Sequence, residues 1–158
     1  MAITVNVSDA RSSADPAEQI VTYSLGSCIG VTLYDPVVKC GGMLHYQLPT
    51  STLDQNRAKE NPCMFADTGM SYLINELAAM GAQKRRLKVK LAGGAEILND
   101  GGLFSIGKRN HTAIRKILWQ QGLMIEGEDV GGNSPRTLYL HIGDGTTIMK
   151  TKGQTTNL

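Results

Sequence analysis

Hydrophobic residues in the first third of the chain alternate rather than cluster. In "EQIVTYSL" (Glu18–Leu25) a β-branched run ends at Gly26, and in "CIGVTLYD" Ile29, Val31 and Leu33 fall on one face with small or polar residues between them. Asp35-Pro36 starts a turn, Gly41-Gly42 ends it and "MLHYQL" alternates again, which predicts a β-hairpin. From Asn61 the period changes. Asn61 suits a cap, Pro62 a first helical position, and Phe65, Ala66, Met70, Leu73, Ile74, Leu77 and Met80 recur at helical spacing as far as Gly81. Leu87, Val89 and Leu91 then alternate with Lys88 and Lys90, a strand with an apolar face inward and a basic face outward. A second helix is expected from about Lys108 to Gln121 with Gly122 as its stop, "LMIEGEDV" reads as a strand, and "RTLYLHIGDGTTIMKT" as two strands around Asp144-Gly145. Adjacent hairpins argue against a purely parallel sheet. The expected fold is a single α/β domain over residues 1–158, with a mixed, largely antiparallel sheet covered by helices and residues 152–158 as a loose tail.

Composition narrows the classes. A chain of 158 residues that is 41% hydrophobic suits one compact domain. Its apolar runs fall far short of the roughly 20 residues of a membrane span, and "MAITVNVSDARS" lacks the basic and apolar regions of a signal peptide, so a cytoplasmic protein without direct membrane insertion is expected. Cys28, Cys40 and Cys63 form an odd set without a C-x-x-C pair, which fits free thiols rather than disulfides or a metal site, and nothing calls for a cofactor. "KRRLKVK" concentrates five of the sixteen basic residues, but a net charge of +2 with two Phe and one Trp gives little support to nucleic-acid binding.

Chemistry enters with Cys28 and His45. If Tyr34 lies opposite Gly41 in the first hairpin, His45 faces Gly30. Cys28 then shares that side of the hairpin one diagonal step away, about 7–8 Å at Cα, where a long side chain can reach it. A slip of one residue would send His45 to the other face. Thr22, on the preceding strand, is a candidate third group. A free thiol is only a few per cent ionised at neutral pH, and an adjacent imidazole raises that fraction and later protonates a leaving group. The backbone N–H groups of the Gly26-Ser27-Cys28 turn are candidate donors to a substrate oxyanion. A buried structural thiol and a hydrogen-bonded strand histidine remain the other reading of the same residues. His111 and His141 have no thiol nearby in sequence and are expected to be surface or packing residues.

The segments "LGSCIGVTLYDP", "GGMLHYQLP", "NPCMFADTGM", "KLAGGAEI", "IGKRN" and "EDVGG" occur in the order and approximate spacing of CheD, the bacterial chemoreceptor glutamine deamidase family, which the chain resembles from near Val5 to about Met149. The resemblance implies an α/β sandwich related to the deamidating domain of cytotoxic necrotizing factor toxins. It implies a cysteine hydrolase, a protein-glutamine glutaminase, in which the nucleophile falls on Cys28, the histidine on His45 and the histidine-orienting threonine on Thr22. Its implied partners are the cytoplasmic helices of methyl-accepting chemotaxis receptors and the chemotaxis phosphatase CheC; a non-catalytic regulator acting by binding CheC is the alternative. Lys108 in "GKRN" stands where an acidic residue is common, and Pro135 in "GGNSPRT" where glycine is usual. Cys40, in the hairpin turn, and Cys63, in the first helical turn, match no catalytic position. The basic face of "RRLKVK" is expected to attract acidic receptor helices if it borders the substrate groove.

Overall fold

The computed structural model describes residues 1–96 and 105–158; Ile97, the last residue of "KLAGGAEI", lies outside them. Its strands are β1 (Ala2–Thr4), β2 (Asp9–Ser13), β3 (Gln19–Leu25), β4 (Ile29–Asp35), β5 (Cys40–Tyr46), β6 (Lys88–Gly93), β7 (Ile125–Val130), β8 (Arg136–His141), β9 (Thr147–Thr151) and β10 (Gln154–Asn157). The helices are α1 (Gln55–Glu60), α2 (Ala66–Ala79) and α3 (Ile106–Gln120). The strands form two sheets, β1-β3-β8-β9-β10 and β2-β5-β4-β6-β7. Only β1–β3 and β6–β7 pair in parallel among the described strands; the other pairs are antiparallel.

Every residue of β4 and β5 is buried. Alternation explains how one hairpin serves two cores. Ile29, Val31, Leu33 and Leu44 pack with Met70, Leu73 and Leu77 of α2 and with Ile114 and Leu118 of α3. The intervening side chains, Tyr34 and Met43, pack with Ile20, Leu25, Leu138, Leu140 and Met149 of the other sheet. The mixed, largely antiparallel α/β arrangement expected from sequence therefore holds, distributed over two sheets. The hairpin register also follows expectation, with Tyr34 opposite Gly41 and His45 opposite Gly30.

Two expectations are corrected. The helical period from Asn61 to Gly81 is broken: Pro62–Met64 form a 3-10 turn, and Phe65 is extended (φ −121°, ψ 147°) and bridges to Leu48 before α2 begins. Phe65 is completely buried, so the pull of the core on its ring overrides the local propensity. Residues 152–158 are not a loose tail: Gln154–Asn157 pair with β9, and the Leu158 amide and carbonyl bond to Thr147 O and Lys90 Nζ. Backbone pairing needs no apolar side chains, which is why this polar segment gives no strand signal.

At the end of β4 remote from Cys28, the fully buried Asp35 carboxylate accepts from the N–H groups of Val37 and Gln83 and from the Arg86 guanidinium at 2.9 Å. Burial alone would raise its pKa; these donors outweigh burial and hold it below the usual range. Asp35→Ala should cost about 3 kcal/mol in chemical denaturation, because Arg86 and two amides lose their acceptor.

Candidate active site

The pairing of β4 with β5 puts His45 opposite Gly30, on the face that meets the other sheet. The space over Gly30 is not open. A Cβ there would lie 2.9 Å from a Leu25 methyl and 3.0 Å from one of Leu138, so these side chains wall the site with hydrocarbon. Leu25 reaches that position through a register shift in β3 between Thr22 and Leu25, where Ser24 adopts φ +58°. The extra residue turns Leu25 inward and directs the chain toward Cys28.

His45 is 1% exposed and Thr22 wholly buried. The Thr22 hydroxyl donates to Val5 O at 2.8 Å and lies 2.8 Å from His45 Nδ1. A hydroxyl has one proton, and Val5 O can only accept. Thr22 must therefore accept from Nδ1–H, which leaves Nε2 unprotonated with its lone pair available. Nε2 is buried and, among the described residues, has no hydrogen-bond partner. It is the atom a proton-bearing nucleophile or substrate would engage.

Cys28 closes the Gly26-Ser27-Cys28 turn between the sheets, is half-buried, and packs against the cluster that contains Leu25 and Leu138. All three carbonyls of the turn face the scaffold: Gly26 O accepts from Ala95 N (2.8 Å), Ser27 O from Asn110 Nδ2 (2.9 Å) and Cys28 O from Gly94 N (2.9 Å). In a trans peptide the C=O of one residue and the N–H of the next point in opposite directions, so this arrangement turns the Ser27 and Cys28 N–H groups away from the scaffold. Gly93 (φ +112°) permits the close packing. A Cβ there would sit 2.3 Å from Cys28 O.

Electrostatics depart from expectation. Burial lowers the His45 pKa from 6.5 to about 4. The Cys28 thiol is raised above 9.0, burial outweighing the bond from its own backbone N–H. At neutral pH Cys28 is a thiol and His45 a neutral imidazole, rather than a thiolate and an imidazolium. Desolvation disfavours both charges, and a threonine orienter adds no negative charge to offset it.

The remaining sequence candidates fall elsewhere. Cys40 is the first residue of β5 and Cys63 lies in the 3-10 turn; both are buried, and burial pushes Cys63 up to about 11. His111 Nε2 bonds Glu128 at 2.7 Å on the outer side of α3, and His141 ends β8. Lys88 and Lys90 lie opposite Tyr34 and Thr32, whereas Gly93 is the residue opposite Ile29. At about 3.3 Å per residue the basic strand is directed roughly 10 Å or more away from Cys28, so it does not border the turn. Asn110 and Arg136 carry no catalytic signal in the sequence. Asn110 touches the Cys28 turn directly, and Arg136 bonds Gly93 O and Gly131 O at 3.1 and 2.7 Å. Their only sequence signal was membership of, or proximity to, the segments "IGKRN" and "EDVGG".

A family model described as "CheD chemotactic sensory transduction" matches residues 47–151. A protein of Solibacter usitatus, "Probable chemoreceptor glutamine deamidase CheD", is 48% identical over 96% of this chain and 90% of its own length. A Syntrophus aciditrophicus protein, "Probable chemoreceptor glutamine deamidase CheD 1", is 48% identical over 96% of this chain and 94% of its own. "Probable chemoreceptor glutamine deamidase CheD 2" of Anaeromyxobacter dehalogenans is 43% identical over 96% of each. Among solved structures, Neisseria meningitidis protein NMB0706 aligns at a TM-score of 0.47 with 12% identity, over 84% of this chain and 62% of that one.

Two measurements probe the neutral pair. Iodoacetamide should label Cys28 before Cys40 and Cys63 because it is the half-buried thiol, with a rate still rising above pH 9. A plateau below pH 8 would mean a preformed thiolate. For His45, folding excludes a proton that the unfolded chain binds between pH 6.5 and about 4. Its stabilising contribution is complete above pH 6.5 and declines by on the order of 3 kcal/mol as pH falls to 4. Denaturation at several pH values should show this loss in wild type and its absence in His45→Gln.

Proposed function

Because the chain belongs to the CheD family, we propose that it hydrolyses the side-chain amide of glutamine in bacterial chemoreceptors, releasing ammonia and leaving glutamate, with Cys28 as nucleophile, His45 as base and acid, and Thr22 as the residue that orients His45. The observation that carries this assignment is the hydrogen bond of His45 Nδ1 to Thr22, whose own proton goes to Val5 O. It leaves Nε2 free on the side of the hairpin that Cys28 shares. The Thr22–His45 contact, with Cys28 two residues before Gly30, the partner of His45 in the hairpin, favours catalysis over a purely binding role.

The chemistry follows from the neutral pair. As the Cys28 sulfur attacks the carboxamide carbon, the thiol proton passes to His45 Nε2, and the Ser27 and Cys28 N–H groups, beside Gly26, donate to the developing oxyanion. A buried imidazolium with so low a pKa is a strong acid. It delivers its proton to the departing nitrogen, so ammonia leaves and a thioester remains. Nε2 then takes a proton from water, hydroxide adds to the thioester, and the proton returns to sulfur as glutamate forms. Charge exists in the pocket only transiently, and no metal or cofactor is required.

The receptor's cytoplasmic helices are the proposed substrate surface, and the cytoplasm the proposed location. No helix among the described residues is long and apolar enough to cross a membrane. The groove lined by Pro49, Thr50, Lys108, Arg109, Thr112 and Ala113, about 560 Å³, adjoins the segment that follows His45 and is the proposed path for a substrate helix, with Lys108 and Arg109 as its exposed cations. CheC is carried only as a proposed second partner.

Intact-mass analysis of a receptor cytoplasmic fragment should show a gain of about 1 Da per glutamine converted. Cys28→Ala should abolish the gain, and His45→Ala should lower turnover by roughly 100-fold to 10,000-fold. Thr22→Ala should cost less, because the base remains but its tautomer and orientation are released. Full activity in Cys28→Ala would overturn the assignment.

A further inference from the structure

Asn110, in the second turn of α3, is wholly buried. Its Nδ2 donates to Ser27 O at 2.9 Å and to Gln47 O at 2.8 Å. Ser27 precedes Cys28, and Gln47 lies two residues beyond His45. One amide group therefore joins the two backbones that carry the proposed nucleophile and base. The third tie comes from the intervening residue: Tyr46 Oη donates to Asn110 O at 2.7 Å. The amide orientation is dictated by chemistry, since both facing atoms are carbonyls and only an NH2 group can donate to both. Oδ1 is left buried without a partner among the described residues. An unpaired buried acceptor is unfavourable, so a side chain serving only to fill this space would be better apolar.

We propose that Asn110 is a positioning residue, which clamps the Cys28 turn to the segment after His45 and holds the Ser27 carbonyl toward α3 so that the Cys28 N–H faces the substrate side. The turn needs such a clamp because it crosses from one sheet to the other in three residues, without a strand partner of its own. This inference rests on the catalytic roles given above to Cys28 and His45.

The test compares Asn110→Ser, which keeps a single donor, and the isosteric Asn110→Asp, which sets carboxylate oxygens against two carbonyls, with Tyr34→Phe. Tyr34 Oη donates to Ile142 O at 2.8 Å, an equally buried tie far from the turn. In assays at temperatures where circular dichroism shows each protein folded, kcat on the receptor fragment should fall about 10-fold for Asn110→Ser and about 100-fold for Asn110→Asp, with KM within about threefold. Tyr34→Phe should lose melting temperature and keep kcat. The midpoint of the Cys28 alkylation pH profile should move down toward 9.0 in Asn110→Ser, as the released turn exposes the thiol, and stay in place in Tyr34→Phe. If the Asp variant does not fold, the Ser variant decides. Wild-type kcat in folded Asn110→Ser, or a rise in KM at constant kcat, would overturn the clamp. A wild-type protein without deamidase activity would instead overturn the proposed function, and the alkylation midpoint alone would then decide on the clamp.

Discussion

The hydroxyl of Thr22 links the two sheets. It lies on β3 of one sheet, donates to Val5 O just beyond β1, and receives the Nδ1–H of His45 on β5 of the other sheet. A histidine's tautomer is thus set from across the sandwich. Because Thr22 is wholly buried and has one proton, the bond to Val5 is as important as the bond to His45: if Val5 O were elsewhere, the hydroxyl could donate to Nδ1 and reverse the ring. The N-terminal segment, held by Val5 N to Val21 O at 2.8 Å, is in this sense part of the site.

Burial decides the protonation that this geometry works with. Leu25 and Leu138 close over Gly30 and remove water from the imidazole, lowering its pKa to about 4, while the thiol of Cys28 is raised. An acidic orienter would have supported an imidazolium; a threonine does not. The arrangement leaves both groups uncharged at neutral pH, which suits the proposed reaction, in which a proton moves with the heavy atoms.

The turn that bears Cys28 is shaped from outside. Gly94 and Ala95 beyond β6 and Asn110 on α3 bind its three carbonyls, and Arg136 in turn holds Gly93 and Gly131. The segment "KLAGG" meets the turn through its backbone, whereas "EDVGG" holds Arg136 through both the Gly131 carbonyl and the Asp129 carboxylate. Lys108 and Pro135 lie outside these contacts to the turn; Pro135 offers its carbonyl to Thr151.

The sequence by itself determined the hairpin. Two-residue periodicity and the turn that Asp35-Pro36 opens specify a register, in which Gly41 and Gly42 prove to be strand residues of β5, and that register places His45 on the same side as Cys28, because a slip of one would reverse every side chain. It also identified both long helices, through their 3.6-residue period and the glycines that follow them. Alternation could not tell that the hairpin is buried on both faces, since small and polar residues such as Gly30 and Thr32 look solvent-facing until a second sheet covers them. Phe65 interrupts the helical pattern ahead of α2 for a reason that lies across the chain at Leu48, and β10 forms from polar residues through backbone bonds alone. Tertiary structure alone decided the contacts of Thr22, Asn110 and Arg136. Each joins elements that are distant in sequence, through single hydrogen bonds that leave no periodic trace, and the low pKa of His45 follows from the same packing that no local pattern encodes.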